Sequence, residues 1–189
     1  MVRSEKTDSP WDLEFGNFTI CLLRSRYLVS WLDYENQPVE DTIVVYPLTE
    51  DMYVKILIIR YMADRFQTPF SGKFITYHEV PWGEVYFRQF QGRCLMRFAF
   101  SYGNKLEMFA KIMEHLGAEK SEEGDCSYKL EFMDNLFIKF ILWAGDDEFP
   151  PSSQILFSDN FAASFAAEDL AVVGDISINM MKALEKKLS

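Results

Sequence analysis

Ser127-Tyr-Lys-Leu-Glu-Phe-Met-Asp-Asn-Leu-Phe-Ile-Lys-Phe-Ile-Leu-Trp143 decides the fold class. Its first half alternates: Tyr128, Leu130 and Phe132 fall on one side, Lys129 and Glu131 on the other, the period of a half-buried strand. Asp134-Asn135 is a two-residue turn, because these side chains tolerate positive φ. Leu136 to Trp143 is then almost wholly apolar, as expected of a strand near the middle of a sheet. An antiparallel hairpin is the unit from which the rest is read.

Upstream, Phe18 to Leu22 and Tyr27 to Leu32 read as two strands around a turn at Arg24-Ser25. Asp33 to Asp41, with Pro38, reads as a loop, and β-branched Thr42 to Tyr46 as a short strand ended by Pro47. Thr49 is placed as an N-cap, with Glu50 and Asp51 where the helix dipole favours acids. The helix it opens, to about Phe66, has apolar residues around most of its circumference, the pattern of a buried helix. Gln67 to Gly72 breaks it, and Lys73 to Tyr77 reads as a strand. Trp82 to Phe100 is helical with Gly92 as its weak point. Asn104 is placed as the cap of a further helix whose Leu106, Phe109, Ile112, Met113 and Leu116 share a face and which stops at Gly117. Ala118 to Gly124 is an acidic turn, and the closing helix runs from about Glu168 to Lys187.

Strands and helices interleave without a linker or an internal repeat. The expectation is a single α+β domain over residues 13–189: a mostly antiparallel, twisted sheet with helices packed against it, preceded by a disordered segment, 1–12. At 189 residues the chain buries roughly 70% of its unfolded surface, so it folds without metal or disulfide. Most of its 17 phenylalanines belong in that core.

A net charge of −10, with cations scattered rather than clustered, excludes nucleic acid, which requires a basic face, and argues against an anionic membrane surface. No apolar run approaches the roughly 20 residues of a membrane helix. Cys21, Cys94 and Cys126 lie far apart, with no CxxC spacing for zinc or an iron–sulfur cluster. An odd thiol count and the lack of a secretory apolar region point to the cytoplasm.

Candidate chemistry concentrates in Gly145 to Gly174, GDDEFPPSSQILFSDNFAASFAAEDLAVVG. Asp146, Asp147 and Glu148 follow the apolar strand directly, and Asp159 follows Ile155-Leu156-Phe157. Carboxylates at strand ends are the ligands a hard divalent cation takes. They are equally turn caps, with Pro150-Pro151 stiffening the bend. His78-Glu79 adds an imidazole and a carboxylate, a base oriented by an acid or a strand end before Pro81. Ser71-Gly72-Lys73 lacks the earlier Gly and the following Ser or Thr of a phosphate loop. There is no GxSxG and no Cys–His pairing. No cofactor is expected, although the acids would admit a divalent metal.

Taken together, Ile56 to Tyr61, Thr68 to Pro81, Gly124-Asp125 with Ser127-Tyr128, Leu142 to Phe157 and Glu168 to Gly174 resemble a bacterial and archaeal family, the domain of unknown function DUF3786. The resemblance spans most of the chain from about Phe18 and brings no established activity or catalytic residues. Some members look fused to a four-cysteine iron–sulfur module of corrinoid-dependent one-carbon metabolism in anaerobes, a module this chain lacks. It implies a non-catalytic binding or accessory module in anaerobic metabolism, acting on a protein partner or small ligand. The alternatives are a metal-assisted enzyme built on Asp146, Asp147, Glu148, Asp159 and Glu79 with His78, and a structural homodimer.

Overall fold

The computed structural model describes residues 11–12, 17–30, 35–39, 48, 50–63 and 68–189. The readings of Thr42 to Tyr46 as a strand and Thr49 as a cap lie outside them, as do residues 1–10. Nine strands form one sheet among the described residues. In chain order these are β1 (Trp11–Asp12), β2 (Asn17–Leu22), β3 (Ser25–Ser30), β4 (Asn36–Pro38), β5 (Phe74–Ile75), β6 (Glu119–Ser121), β7 (Cys126–Met133), β8 (Leu136–Trp143) and β9 (Ser152–Ser158). The strand order is β4-β3-β2-β7-β8-β9-β5, with β1 also on β2 and β6 also on β7. Every pairing is antiparallel. Helices pack against this sheet, so the architecture is α+β. Trp11 pairs with Phe18 and Asp12 with Asn17.

The quoted hairpin is β7–β8, in register from Cys126↔Leu142 to Glu131↔Phe137. Asn135 takes φ 62° in the turn. A bulge between Glu131 and Met133 puts two consecutive apolar residues, Phe132 and Met133, into the interior, both fully buried. The bulge also turns β7 toward β2. The two strands touch at one pair, Leu22↔Met133, reinforced by Leu23 N–H donating to the Phe132 carbonyl (2.7 Å). Asp134 closes the junction: its Oδ1 accepts from Cys21 N–H (3.1 Å), and its carbonyl accepts from Tyr61 Oη (3.2 Å).

Several local expectations shift. The β2–β3 turn is Leu23-Arg24, both at positive φ (47° and 66°), one residue earlier than read and suited to the strand twist. Asn36–Pro38 is not loop but the edge strand β4, where a proline without an N–H is tolerated. The acidic turn after Gly117 contains β6, and the strand read over Lys73 to Tyr77 shrinks to β5 before a 3₁₀ turn, Tyr77–Glu79.

Helix α1 (Met52–Ala63) is capped by Asp51, whose Oδ1 accepts from Tyr53 N–H (2.8 Å). It is not buried all round: Val54, Leu57, Ile58 and Met62 face the core, while Met52, Tyr53, Ile56 and Ile59 are exposed. The helix read over Trp82 to Phe100 is continuous: α2 (Gly83–Phe90), a π-helical stretch (Gln91–Met96) containing Gly92, and α3 (Arg97–Tyr102). Helix α4 (Leu106–His115) buries Phe109, Ile112 and Met113. It ends in a Schellman motif: Gly117 is at φ 64°, and Gly117 and Ala118 N–H donate to the Glu114 and Met113 carbonyls, both at 2.9 Å. Its cap position is Lys105, with no side-chain capping bond, rather than Asn104.

A short α5 (Phe161–Ser164) leads to α6 (Ala167–Leu188), which packs against α1, α2, the π stretch and α4. It is therefore buried along most of its length, including Leu170, Val173, Ile176, Met180 and Leu184. Polar pairs fix its neighbours: Arg60 on Asp169, and Arg93 and Arg97 on Asp175.

The entry to α2 is tight. A Cβ on Gly83 would lie 1.9 Å from the Tyr77 carbonyl oxygen, whereas one on Gly92 would meet nothing within 4 Å. Gly83→Ala is therefore expected to cost about 2–4 kcal/mol. Gly92→Ala should change stability by less than about 1 kcal/mol. Urea melts of the two variants check the contrast.

Burial at the β2–β7 junction pushes the Asp134 carboxyl up to about 6, Glu131 pushing the same way and the Cys21 N–H bond opposing. A raised folded pKa means that the stability this group contributes is complete below about pH 4, its ordinary range, and is lost as pH rises through 6. Asp134→Asn keeps the acceptor for Cys21 N–H and removes that loss. The variant should be more stable than the parent at pH 7–8 by about 1 kcal/mol, allowing for solvent screening of a partly exposed group. It should match the parent near pH 4, as thermal melts across that range would show.

Candidate functional site

The two acidic groups singled out in the sequence sit at opposite ends of β9. At one end the chain leaves β8 at Trp143 and turns through 144–151. Ala144 N–H donates to Asp125 Oδ2 (2.7 Å). Asp146 Oδ1 accepts from Glu148 N–H (2.8 Å) and Phe149 N–H (2.7 Å). Asp146 N–H in turn donates to the Phe149 carbonyl (2.9 Å). The two backbone donors, Phe149 first, hold the Asp146 carboxyl below its usual range. This is an Asx turn, and it spends the carboxylate on the loop itself. Asp147 and Glu148 are exposed.

Two glycines seat the loop on the end of α3. A Cβ on Gly103 would come within 2.2 Å of Pro151 Cβ, and one on Gly145 within 2.8 Å of Pro151 Cδ. Further along β9, Ser153 Oγ donates to the Leu95 carbonyl (2.8 Å). These two adjoining elements leave three large apolar side chains in solvent: Phe149 is 67% exposed, Phe100 63% and Met96 50%. Met96 and Phe100 are one helical turn apart on the side of the helix away from buried Phe98 and Tyr102.

At the other end of β9, Asp159 receives the Ser71 hydroxyl and Ser71 N–H (3.3 Å), and the hydroxyl is the larger cause of its lowered pKa. Asp159 N–H donates to the Lys73 carbonyl (3.0 Å). Asn160, buried, ties the same corner together. Its Nδ2 donates to the carbonyls of Thr68 (3.1 Å) and Asn135 (2.9 Å), and its Oδ1 accepts from Ser158 Oγ (2.6 Å). Glu79 Oε2 accepts from Thr76 N–H (2.7 Å) and Oγ1 (3.0 Å), bonds that lower its pKa. Lys73 Nζ lies 3.7 Å from Glu79 Oε1. His78 Nδ1 lies 3.1 Å from Glu84 Oε1, its ring centroid 3.8 Å from that of Phe87.

Asp159 and Asp146 are thus separated by the length of β9, seven residues or about 20 Å. Asp159 and Glu79 share the β5 edge, but each is bonded to its own loop. Among the described residues no group of three or more His, Cys, Asp or Glu side chains could hold a metal ion. The thiols are not poised as nucleophiles either. Burial pushes Cys94 up to about 12 and Cys21 up to about 11, and Cys94 Sγ donates to the Ala171 carbonyl (3.3 Å).

Over residues 5–180 the chain matches the family described as a domain of unknown function, DUF3786. It belongs to that family. No curated protein and no solved structure matches it. The segments that carry the DUF3786 resemblance acquire a structural meaning. Thr68 to Pro81 wraps the β5 end of the sheet and is pinned by Asp159 and Asn160. Leu142 to Phe157 holds the 144–151 loop at the far end of β9, pinned by Pro151, and most of β9 itself.

The sequence reading missed Met96, Phe100 and Phe149 as a surface. The usable signal was that Met96 and Phe100 fall outside the apolar stripe of their own helix. It also missed Trp82, which is 73% exposed with a left-handed backbone at φ 67°, a conformation that costs a non-glycine residue about 1–2 kcal/mol.

If the acids serve their loops, Asp146→Ala should lower Tm by about 2–4 °C. Asp159→Asn should loosen the 68–73 segment, seen as faster amide exchange there. Neither should alter binding of Mg²⁺, Ca²⁺ or Zn²⁺ in calorimetric titrations of parent and variants.

Proposed function

We propose that this chain is a non-catalytic binding or accessory module that docks a partner on the surface formed by α3 and the 144–151 loop. The observation that carries the reading is the exposure of Met96, Phe100 and Phe149 beside a loop whose backbone is held rigid by Asp146 and by Pro151 between two glycines. Large apolar side chains left in solvent on adjoining elements are the kind of feature that a contact surface provides. Aromatic anchors on a pre-set loop bind with little ordering cost. Exposed Asp147 and Glu148 give the rim a negative charge, which would complement a basic edge on the partner.

The metal-assisted alternative requires carboxylates to converge, and the candidates are divided between the two ends of one strand. The placement in anaerobic, corrinoid-linked one-carbon metabolism, and the reducing cytoplasm that goes with it, rest on the family resemblance. Among the described residues no helix is long and apolar enough to cross a membrane, in keeping with a partner met away from the bilayer.

Site-specific photocrosslinking in the native cell tests the proposal. A benzoylphenylalanine at position 149 should yield a discrete adduct, and Phe100→Ser should abolish it while leaving Tm within a few degrees. An iron–sulfur or corrinoid enzyme in the adduct would support the metabolic placement. No adduct from position 149 or 100 would sink the docking reading. Native mass spectrometry of the purified chain should give whole multiples of the polypeptide mass, without a metal increment.

A further inference from the structure

Helix α1 has two apolar faces, and among the described residues only one is covered. Val54, Leu57, Ile58 and Met62 are buried. On the opposite side Met52 is 66% exposed, Tyr53 57%, Ile56 39% and Ile59 40%, with Ala63 also exposed. Met52, Ile56, Ile59 and Ala63 follow a 4-3-4 spacing, the seam by which one helix packs along another. A helix apolar around its circumference belongs in an interior. Here the fold supplies half of that interior.

We infer that the other half is supplied by a second copy of this chain, with two α1 helices packed antiparallel across a two-fold axis near Ile56. Charge selects the occupant. The chain carries a net charge of −10, so two copies repel over most approaches. Helix α1 (MYVKILIIRYMA) contains no acid and two cations, Lys55 and Arg60. The acids lie just before it, at Glu50 and Asp51.

An antiparallel crossing at Ile56 sets Met52 of one copy beside Ile59 of the other. It also brings the Glu50–Asp51 end of each helix against Arg60 of its mate. The surface is complementary to itself, as a two-fold contact requires. Arg60 already bonds both oxygens of Asp169, so it is held in place and would bridge that carboxylate and the mate's acids, with little side-chain freedom lost on association. Opposed helix dipoles add to the attraction. A helix of 12 residues is about 18 Å long, which places the contact at the small end of interface sizes.

Sedimentation analysis of the full chain at about 50 µM and after roughly hundredfold dilution provides the test. Twice the chain mass of 22.1 kDa is expected at the higher concentration and the single mass on dilution. Ile56→Lys and Ile56→Glu place like charges face to face across the axis, and each should be monomeric. Mixing them in equal amounts should restore the double mass, because only the mixed pair is attractive. Met52→Lys, at a more exposed position, provides a second variant should either substitution at 56 disturb folding, and it should weaken dimerisation at least tenfold. Phe100→Ser should leave the dimer intact, which separates this surface from the one at the 144–151 loop. A parent monomeric at the higher concentration, dimerisation unaffected by Ile56→Lys, or a mixture that stays monomeric would each overturn the inference.

Discussion

One backbone junction makes a single sheet out of two. Strands β1 to β4 and strands β5 to β9 meet at Leu22↔Met133, and the meeting depends on the bulge that turns two successive residues of β7 inward. Phe132 supplies the carbonyl that Leu23 N–H needs, and Met133 supplies the pairing partner. Were β7 regular, one of these apolar side chains would face solvent, and β7 would continue beside β8 instead of reaching β2. The Asp134 carboxylate then satisfies the next amide, Cys21 N–H. The junction is narrow but completely bonded, as a buried backbone must be.

The elements legible in the sequence are those whose signal is local. The β7–β8 hairpin followed from alternation and an Asp-Asn turn, α4 from a one-sided apolar stripe and the glycine at its C-terminus, and α6 from its length. Short edge strands were not legible. Asn36–Pro38 and Glu119–Ser121 have polar, turn-like compositions and are strands only because β3 and β7 offer them a free edge. That is a tertiary cause, invisible in a window of three residues. Likewise α1 was read as wholly buried because periodicity reports which residues are apolar, not how many neighbours the fold provides.

The candidate site was legible in composition and misleading in grouping. Asp146 and Asp159 look close because the chain between them is short. An extended strand is the conformation that carries sequence neighbours farthest apart, and β9 occupies most of the interval. The Asp146 and Asp159 carboxylates act on their own loops, and the segment presents Phe149 to solvent beside Asp147 and Glu148. Exposure of an aromatic side chain can be inferred only once its neighbours are placed. Pro151 wedged against Gly103 is a contact between distant parts of the chain that the spacing of glycines and prolines does not disclose.

The π-helical stretch between α2 and α3 has a consequence for how this chain can vary. Phe90, Cys94, Phe98 and Tyr102 are all buried to within 1%, yet they recur every fourth residue. A pure α-helix advances about 40° beyond a full turn at each four-residue step, so over three steps Tyr102 would drift about 120° from the line of Phe90. The wider i→i+5 turns take up that drift and keep the four side chains in phase with one another. They also let Arg93 and Arg97 reach the same carboxylate. The length of this helix is therefore not free to change. Removing or adding one residue within 91–96 would rotate α3 by about 100°, turning Phe98 and Tyr102 out of the core. Natural length variation among relatives is accordingly expected in the loops and not in this helix.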